Sequence, residues 1–406
     1  MQKLVSYRYE MIWGLFLIFL PFSKALINIV LVLGILFLVY DIVIKKTAFV
    51  KPNTAFIVLF VFIVCLSINA FLQGNVHENK SFYKLYPLLI GTYFAMISIK
   101  NDSVTTIKKI SGVVSVFYVL VCFVRIGLYY TEFQVNPFGN SNVVNHILIL
   151  ERPYAACLSL INIILFYDLF RKEIKKKNKH IYLILIFFLT VFIVLIAARL
   201  ALLSLLIIAV VYILFFSKIK FKMKLSLLLG IPLLLAVLLI SSKGLQERLF
   251  IGKSFETFKD YEPRFVIWEG VFEIVASKDF NLISGTGNYQ EIENKLVNHY
   301  QKIEGNLSKR DYYLSERFNS HNQFFDILLF GGIFASLTLI FILGCFFICF
   351  KKNFTSFALL GSLVLFMLVE NIFHRQTGCY LFMIYLILAY KINSEDKVLS
   401  QRILIN

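Results

Sequence analysis

The chain has 406 residues, of which 59% are hydrophobic, only 16% charged and 43 are Phe; its mean hydropathy is +0.78. Soluble chains carry about a quarter charged residues and under half apolar ones, so this composition excludes a soluble globular enzyme. Apolar stretches long enough to cross roughly 30 Å of hydrocarbon recur along the chain, and the reading is an all-α polytopic membrane protein. The net charge of +17 needs no nucleic-acid partner if it gathers on one membrane face, as argued below.

Twelve spans are expected near 9–22, 25–44, 54–72, 86–99, 110–130, 143–169, 181–198, 200–216, 225–240, 323–350, 354–373 and 378–391. The first apolar run, Met11 to Leu20, lacks a small-residue cleavage site and leads straight into another span, so it reads as a span and not as a signal peptide. Only Ala198-Arg199 separates the seventh span from the eighth, which predicts a tight hairpin or a broken helix. Three segments follow: 1–240 with spans one to nine, an outer loop at 241–322, and 323–406 with the last three spans and a cytoplasmic tail. Placing both termini and the even-numbered junctions inside collects 23 of the 41 Lys and Arg there, whereas the short outside segments hold only Lys24, Lys80, Lys84 and Arg375. That asymmetry predicts cytoplasmic termini and a cytoplasmic face that meets anionic lipid. The six cysteines all fall in apolar spans without a CxxC pair and read as small hydrophobes.

The loop 241–322 carries eleven Lys and Arg against twelve Asp and Glu, so it is nearly neutral, and it is long enough to be functional. Pro263-Arg264-Phe265-Val266-Ile267-Trp268 opens an amphipathic helix reaching about Ala276. Ser284-Gly285-Thr286-Gly287 reads as a turn; the glycine spacing lacks the context of a phosphate-binding loop. A second, polar helix is expected from about Gln290 to Lys302. The loop closes on Phe318-Asn319-Ser320-His321-Asn322, where Ser320 or Asn322 can cap the tenth span.

Charges in or beside spans are costly unless paired or useful; here they are Arg125, Glu151, Arg152, Arg199, Glu370 and Arg375. Cations prevail among them, and with His321 they map toward the outer ends of spans. Such a set suits an anionic, lipid-attached ligand, because arginine grips phosphate oxygens with a planar fork of donors. The bland alternatives are definite. Arg199 can snorkel to the interface, Arg264 can pair with Glu262 or Glu269, Arg152 can neutralise Glu151, and Arg125 can meet a buried acid. His77, His146, His180, His299 and His374 read as interfacial or solvated, and Trp268 as an interfacial anchor.

The stretch from Ser320-His321-Asn322 to Gly331-Gly332 resembles the His-Asn…Gly signature of the O-antigen ligase and polymerase superfamily. Ile196-Ala197-Ala198-Arg199 looks like its Ser-Arg-small motif, with Ala198 where Ser is usual. Arg264 with Trp268, Gly285 and Gly287 looks like the Arg…Trp…Gly-x-Gly run of its outer loop, and Glu370 to Gly378 like its penultimate-helix ending. The resemblance covers roughly 190–380, in the family's order. It implies a GT-C-type fold in a bacterial inner membrane with the active site facing the periplasm. It also implies glycan transfer from an undecaprenyl diphosphate-linked donor to an acceptor sugar, without cofactor or metal. The acceptor is the lipid A core in a ligase, the layout this chain resembles more, and another carrier-linked chain in a polymerase. His321 would then be the catalytic base and Arg199 and Arg264 the diphosphate-binding residues, with Arg152, Arg125 and Arg375 as further ligand contacts. A related glycan-to-protein transferase would need an extra outer domain for its acceptor. A glycolipid transporter or flippase would show two related halves with paired interrupted spans; the large outer loop has no counterpart in the first half.

Overall fold

A computed structural model describes residues 2–45, 54–73, 82–137, 141–227, 230, 262–303 and 307–405. Most of the expected ninth span (225–240) and the loop residues 241–261 lie outside the described residues, as do His77 and Lys80. Among the described residues every regular element is helical. The first group comprises α1 (Gln2–Phe19), α2 (Lys24–Lys45), α3 (Thr54–Leu72), α4 (Leu85–Ser98), α5 (Val104–Phe133), α6 (Ser141–Ile147), α7 (Arg152–Lys172), α8 (Lys176–Leu195) and α9 (Arg199–Val211). Three helices between the two apolar groups follow, α10 (Pro263–Ala276), α11 (Tyr289–Gln301) and α12 (Leu307–Glu316), and then α13 (Gln323–Phe350), α14 (Phe354–Met367) and α15 (Gln376–Ile405). Among the described residues six helical stretches are long and apolar enough to cross a membrane: 24–44, 101–133, 152–172, 176–195, 199–216 and 323–350; α3, α4 and α14 are shorter apolar helices.

The bundle is built around α15 and α7. From Cys379 to Ala389 every residue of α15 is at most 2% exposed, enclosed by α4, α5, α7, α13 and α14. A helix apolar all round belongs in an interior. Its polar needs are met locally: Ser111 of α5 donates to Asn162 of α7 at 2.7 Å and shares a 2.8 Å hydrogen bond with the Tyr385 hydroxyl of α15. By contrast α2 and α8 expose rows of large apolar side chains, such as Ile29, Leu36, Val43, Ile184 and Phe187. Water would penalise that surface, and lipid does not.

The two ends of the bundle differ in chemistry. At one end lie the start of α5, the end of α7 and the start of α14. There Lys108, fully buried, pairs with Asp168 at 2.8 Å, and Thr355 donates to the same carboxylate at 2.9 Å. At the other end lie the start of α7, the end of α14, the start of α13 and the helices α10–α12.

Two interruptions shape that second end. Between α8 and α9, Ala197 adopts φ +46°, a left-handed conformation uncommon for a residue with a side chain. The break Ile196–Ala198 is buried and leaves Arg199 as the first residue of α9. In α13 the helix is kinked at Gly332 (φ +74°, ψ −172°), and the turn 282–287 clasps the gap. Thr286 N–H donates to the Leu329 carbonyl at 2.9 Å, Gly287 N–H to that of Phe330 at 2.8 Å, and Ile333 N–H to that of Leu282 at 2.8 Å. Asn69 of α3 donates to the Ser284 carbonyl at 2.8 Å. The Gly-x-Gly turn is thus a backbone splice. A Cβ on Gly285 would meet the Phe330 carbonyl oxygen at 2.6 Å, which is why glycine is needed there. The splice supplies partners to groups a kink leaves open, as an apolar environment demands.

Candidate active site

His321 is positioned by the cap of α13. Asn322, and not Ser320, is the N-cap: its side chain accepts from Phe324 N–H at 2.9 Å and Phe325 N–H at 3.1 Å, and its amide donates to the Leu368 carbonyl at 2.9 Å. Ser320, fully buried, is tied to Asn371, whose amide donates to its hydroxyl at 2.9 Å and to Asp326 at 3.0 Å. Trp268 donates its indole N–H to the Ser320 carbonyl at 3.1 Å, so it is a strut under this loop and not a free anchor. His321 itself has φ +42°, and its backbone N–H donates to the Asn319 side chain at 3.1 Å. A residue held in this sparsely populated region by its surroundings is the pattern found at working sites.

Beneath it, His374 lies 2.9 Å from the Asp326 carboxylate and edge-on to Tyr289. His374 was expected to be interfacial or solvated; it is instead part of the buried layer joining α11, α13 and the segment after α14. Burial, then the nearby Asp326 charge, pushes the Tyr289 phenol of α11 well above its usual pKa.

The span expected over 354–373 is α-helical only to Met367, with a short 3-10 turn at Ile372–His374, so Glu370 stands on the connecting segment 368–375. One Glu370 oxygen accepts from Arg264 Nη2 at 3.0 Å; the other lies 3.4 Å from His321 Nδ1. Burial pushes the Glu370 carboxyl up, but contact with His321 and the charges of His321, Arg264 and Arg375 outweigh it and hold the group below its ordinary value. Arg264 also donates to Glu262 at 2.7 Å and, through Nε and Nη2, to the Val369 carbonyl at 3.2 Å. Glu262 in turn accepts from Arg199 at 2.9 Å. The result is a line of alternating charge: Arg199, Glu262, Arg264, Glu370, His321.

His321 and its acid open on a cavity of about 670 Å³ lined also by His146, Glu151, Arg152, Tyr154, Arg264, Tyr312, Glu316, Arg317, Asn319, Asn371 and Arg375. Of the residues singled out in the sequence, His321, Arg264, Arg152 and Arg375 therefore meet on one cavity. Arg199 does not line it and is tied to it through Glu262. Arg125 is exposed on α5 and lies apart from it. Glu151, the alternative partner for Arg152, pairs instead with Arg375. Arg317 was not singled out; it follows α12 with φ +48° and pairs with Glu293. Sequence offered a signal for it, an arginine four residues before the histidine, but the surrounding charge of the loop obscured it. The lining holds four arginines against three glutamates, so the site is a field of paired charges more than a purely basic pocket.

These pairs fall into two kinds. Arg375–Glu151 and Arg317–Glu293 are between 37% and 49% exposed; exposed pairs of this sort are worth about 0–1 kcal/mol and exchange partners readily. The Arg264–Glu370 and Arg264–Glu262 pairs are largely covered and are costly to break.

No curated protein matches the chain. A family model described as O-antigen ligase matches residues 183–340, from α8 through α10–α12 and His321 into α13. Glu370 and Arg375 lie beyond the match. The match supports the likeness of this part of the chain to the O-antigen ligase and polymerase superfamily.

Proposed function

We propose that this protein transfers a glycan from an undecaprenyl diphosphate carrier to an acceptor sugar on the outer side of the inner membrane, with the lipid A core as acceptor. The observation that carries this reading is His321 on a cavity with exchangeable arginines around it. Bond formation needs the acceptor hydroxyl to lose its proton as its oxygen joins the anomeric carbon. The bond from that carbon to the diphosphate breaks at the same time, and the diphosphate departs with the electron pair. His321 takes the proton. The departing charge goes to Arg375 and Arg317, whose present partners are exposed, and to Arg152 on the same cavity, with Arg264 at the cavity wall and Arg199 supporting it through Glu262. Guanidinium groups supply the charge stabilisation, so the transfer proceeds without a metal. Attack opposite the leaving group inverts the anomeric centre.

The outward orientation is supported by the position of the site at the bundle end opposite the lysine-rich junctions, and with it go twelve spans, cytoplasmic termini and a GT-C-type arrangement. The test compares a deletion strain with one expressing His321→Gln. A ligase null leaves bare core lipid while polymerised chains accumulate on the carrier; core bearing one repeat unit would instead establish a polymerase. Gln can hydrogen-bond but cannot take the proton, so His321→Gln at parental membrane levels should reproduce the null. Parental transfer by that variant would remove His321 from the chemistry.

A further inference from the structure

The paired charges behind His321 bear on how its ring is held, an inference that rests on His321 being the proton acceptor. The two oxygens of Glu370 have separate tasks. One is fixed by Arg264 at 3.0 Å, and Arg264 is itself anchored to the Val369 carbonyl at 3.2 Å and to Glu262 at 2.7 Å. The other oxygen lies 3.4 Å from the buried ring nitrogen of His321, Nδ1, close enough for an ion pair but not aligned as a hydrogen bond, and no hydrogen bond to that nitrogen forms among the described residues. The carboxylate side chain is only 13% exposed, so its direction is set by these contacts and not by solvent.

We propose that Glu370 is the positioning residue of this site. It holds the proton of His321 on Nδ1, leaves Nε2 to accept the acceptor hydroxyl's proton, and balances the imidazolium formed when that proton arrives. Arg264 holds Glu370 in place, and the line through Glu262 to Arg199 ties the assembly to the α8–α9 break. A carboxylate that orients a histidine base contributes to the rate step more than to substrate binding. The neighbours that set its charge are Arg264 on α10 and Arg375 at the end of the 368–375 segment; Phe318 lies against the His321 ring, with ring centroids 5.5 Å apart.

The experiment uses purified full-length protein in detergent with a carrier-linked glycan donor. Glu370→Gln keeps the shape and can still bond Arg264. The expected result is a fall in kcat of roughly 10²- to 10⁴-fold per folded molecule, with KM for the donor within a few-fold. The low-pH limb of the rate profile should shift to lower pH, because the protonated ring has lost its partner. A parental rate and profile in Glu370→Gln, beside an inactive His321→Gln, overturns the positioning role alone. A parental rate in both variants overturns the functional reading beneath it. A rate lost through a raised KM with an unmoved profile also overturns the proposal, since that is the signature of a structural tie. Should Glu370→Gln fail to fold, Glu370→Asp carries the test. Restored charge must return kcat to within about tenfold of the parent, and a folded but inactive Asp variant counts against the proposal.

Discussion

Replacing Gly332 by Ala tests whether the kink in α13 and its clasp hold the site together. The backbone there (φ +74°, ψ −172°) belongs to a region essentially reserved for glycine, and forcing a side chain into it costs about 1–3 kcal/mol. The added Cβ would sit 2.0 Å from the Ile283 carbonyl oxygen, so the turn 282–287 has to move. Doing so strains the three backbone bonds of the clasp, each worth about 1 kcal/mol net. The combined loss is about 4–6 kcal/mol, or a fall in apparent melting temperature of roughly 5–10 °C for a chain of this size. Gly344→Ala is the control. It lies on the same helix with nothing within 4 Å of its Cβ, and gains up to about 1 kcal/mol of helix propensity. Thermal unfolding of both variants in detergent, followed by intrinsic fluorescence, reads the difference. Equal midpoints for the two would mean that the clasp carries no stability, and the account of the Gly-x-Gly turn would fall.

Three other expectations are open to direct measurement. The folded-state pKa of Glu370 is lowered, so its stabilisation is complete above the ordinary carboxylate value of about 4.3 and is lost as pH falls from there through the lowered value; a parent and Glu370→Gln with the same acid dependence of unfolding would contradict this. A topology reporter fused near Asn288 should register outside and one at Lys176 inside, and the reverse at both positions would invert the proposed orientation. Arg199→Lys keeps the charge opposite Glu262 but loses the fork of donors, so transfer should fall substantially; full activity in both Arg199→Lys and Arg199→Ala would reduce this residue to an interfacial anchor.

What the sequence revealed follows the range of the interactions involved. Helices α10 and α11 were expected at Pro263–Ala276 and near 290–302, and they form at Pro263–Ala276 and Tyr289–Gln301, because their proline, cap and apolar spacing act within a few residues. The α8–α9 break was legible for the same reason. The Gly285–Gly287 turn was not legible as a clasp, since its acceptors on Leu329 and Phe330 lie more than 40 positions away. Nor was the Lys108–Asp168 pair, whose members look like the ends of unrelated spans until α5 and α7 pack together. Glu370 was read as belonging to a span, because composition cannot say where α14 stops.

The arginines show how position alters a residue's chemical meaning. In sequence they outnumber the acids near the outer span ends and suggest a basic pocket. In the fold Arg199, Arg264, Arg317 and Arg375 each face a carboxylate, and exposure then separates their capacities. A covered pair such as Arg264–Glu370 cannot release its cation without stranding a buried anion, at a cost of several kcal/mol, so it is suited to holding other groups still. An exposed pair such as Arg375–Glu151 loses little when a more highly charged anion enters, because water already screens it. A diphosphate arriving in the cavity would therefore recruit the outer arginines and leave the inner line undisturbed. On that argument His321 keeps its orientation while the ligand-binding cations around it rearrange.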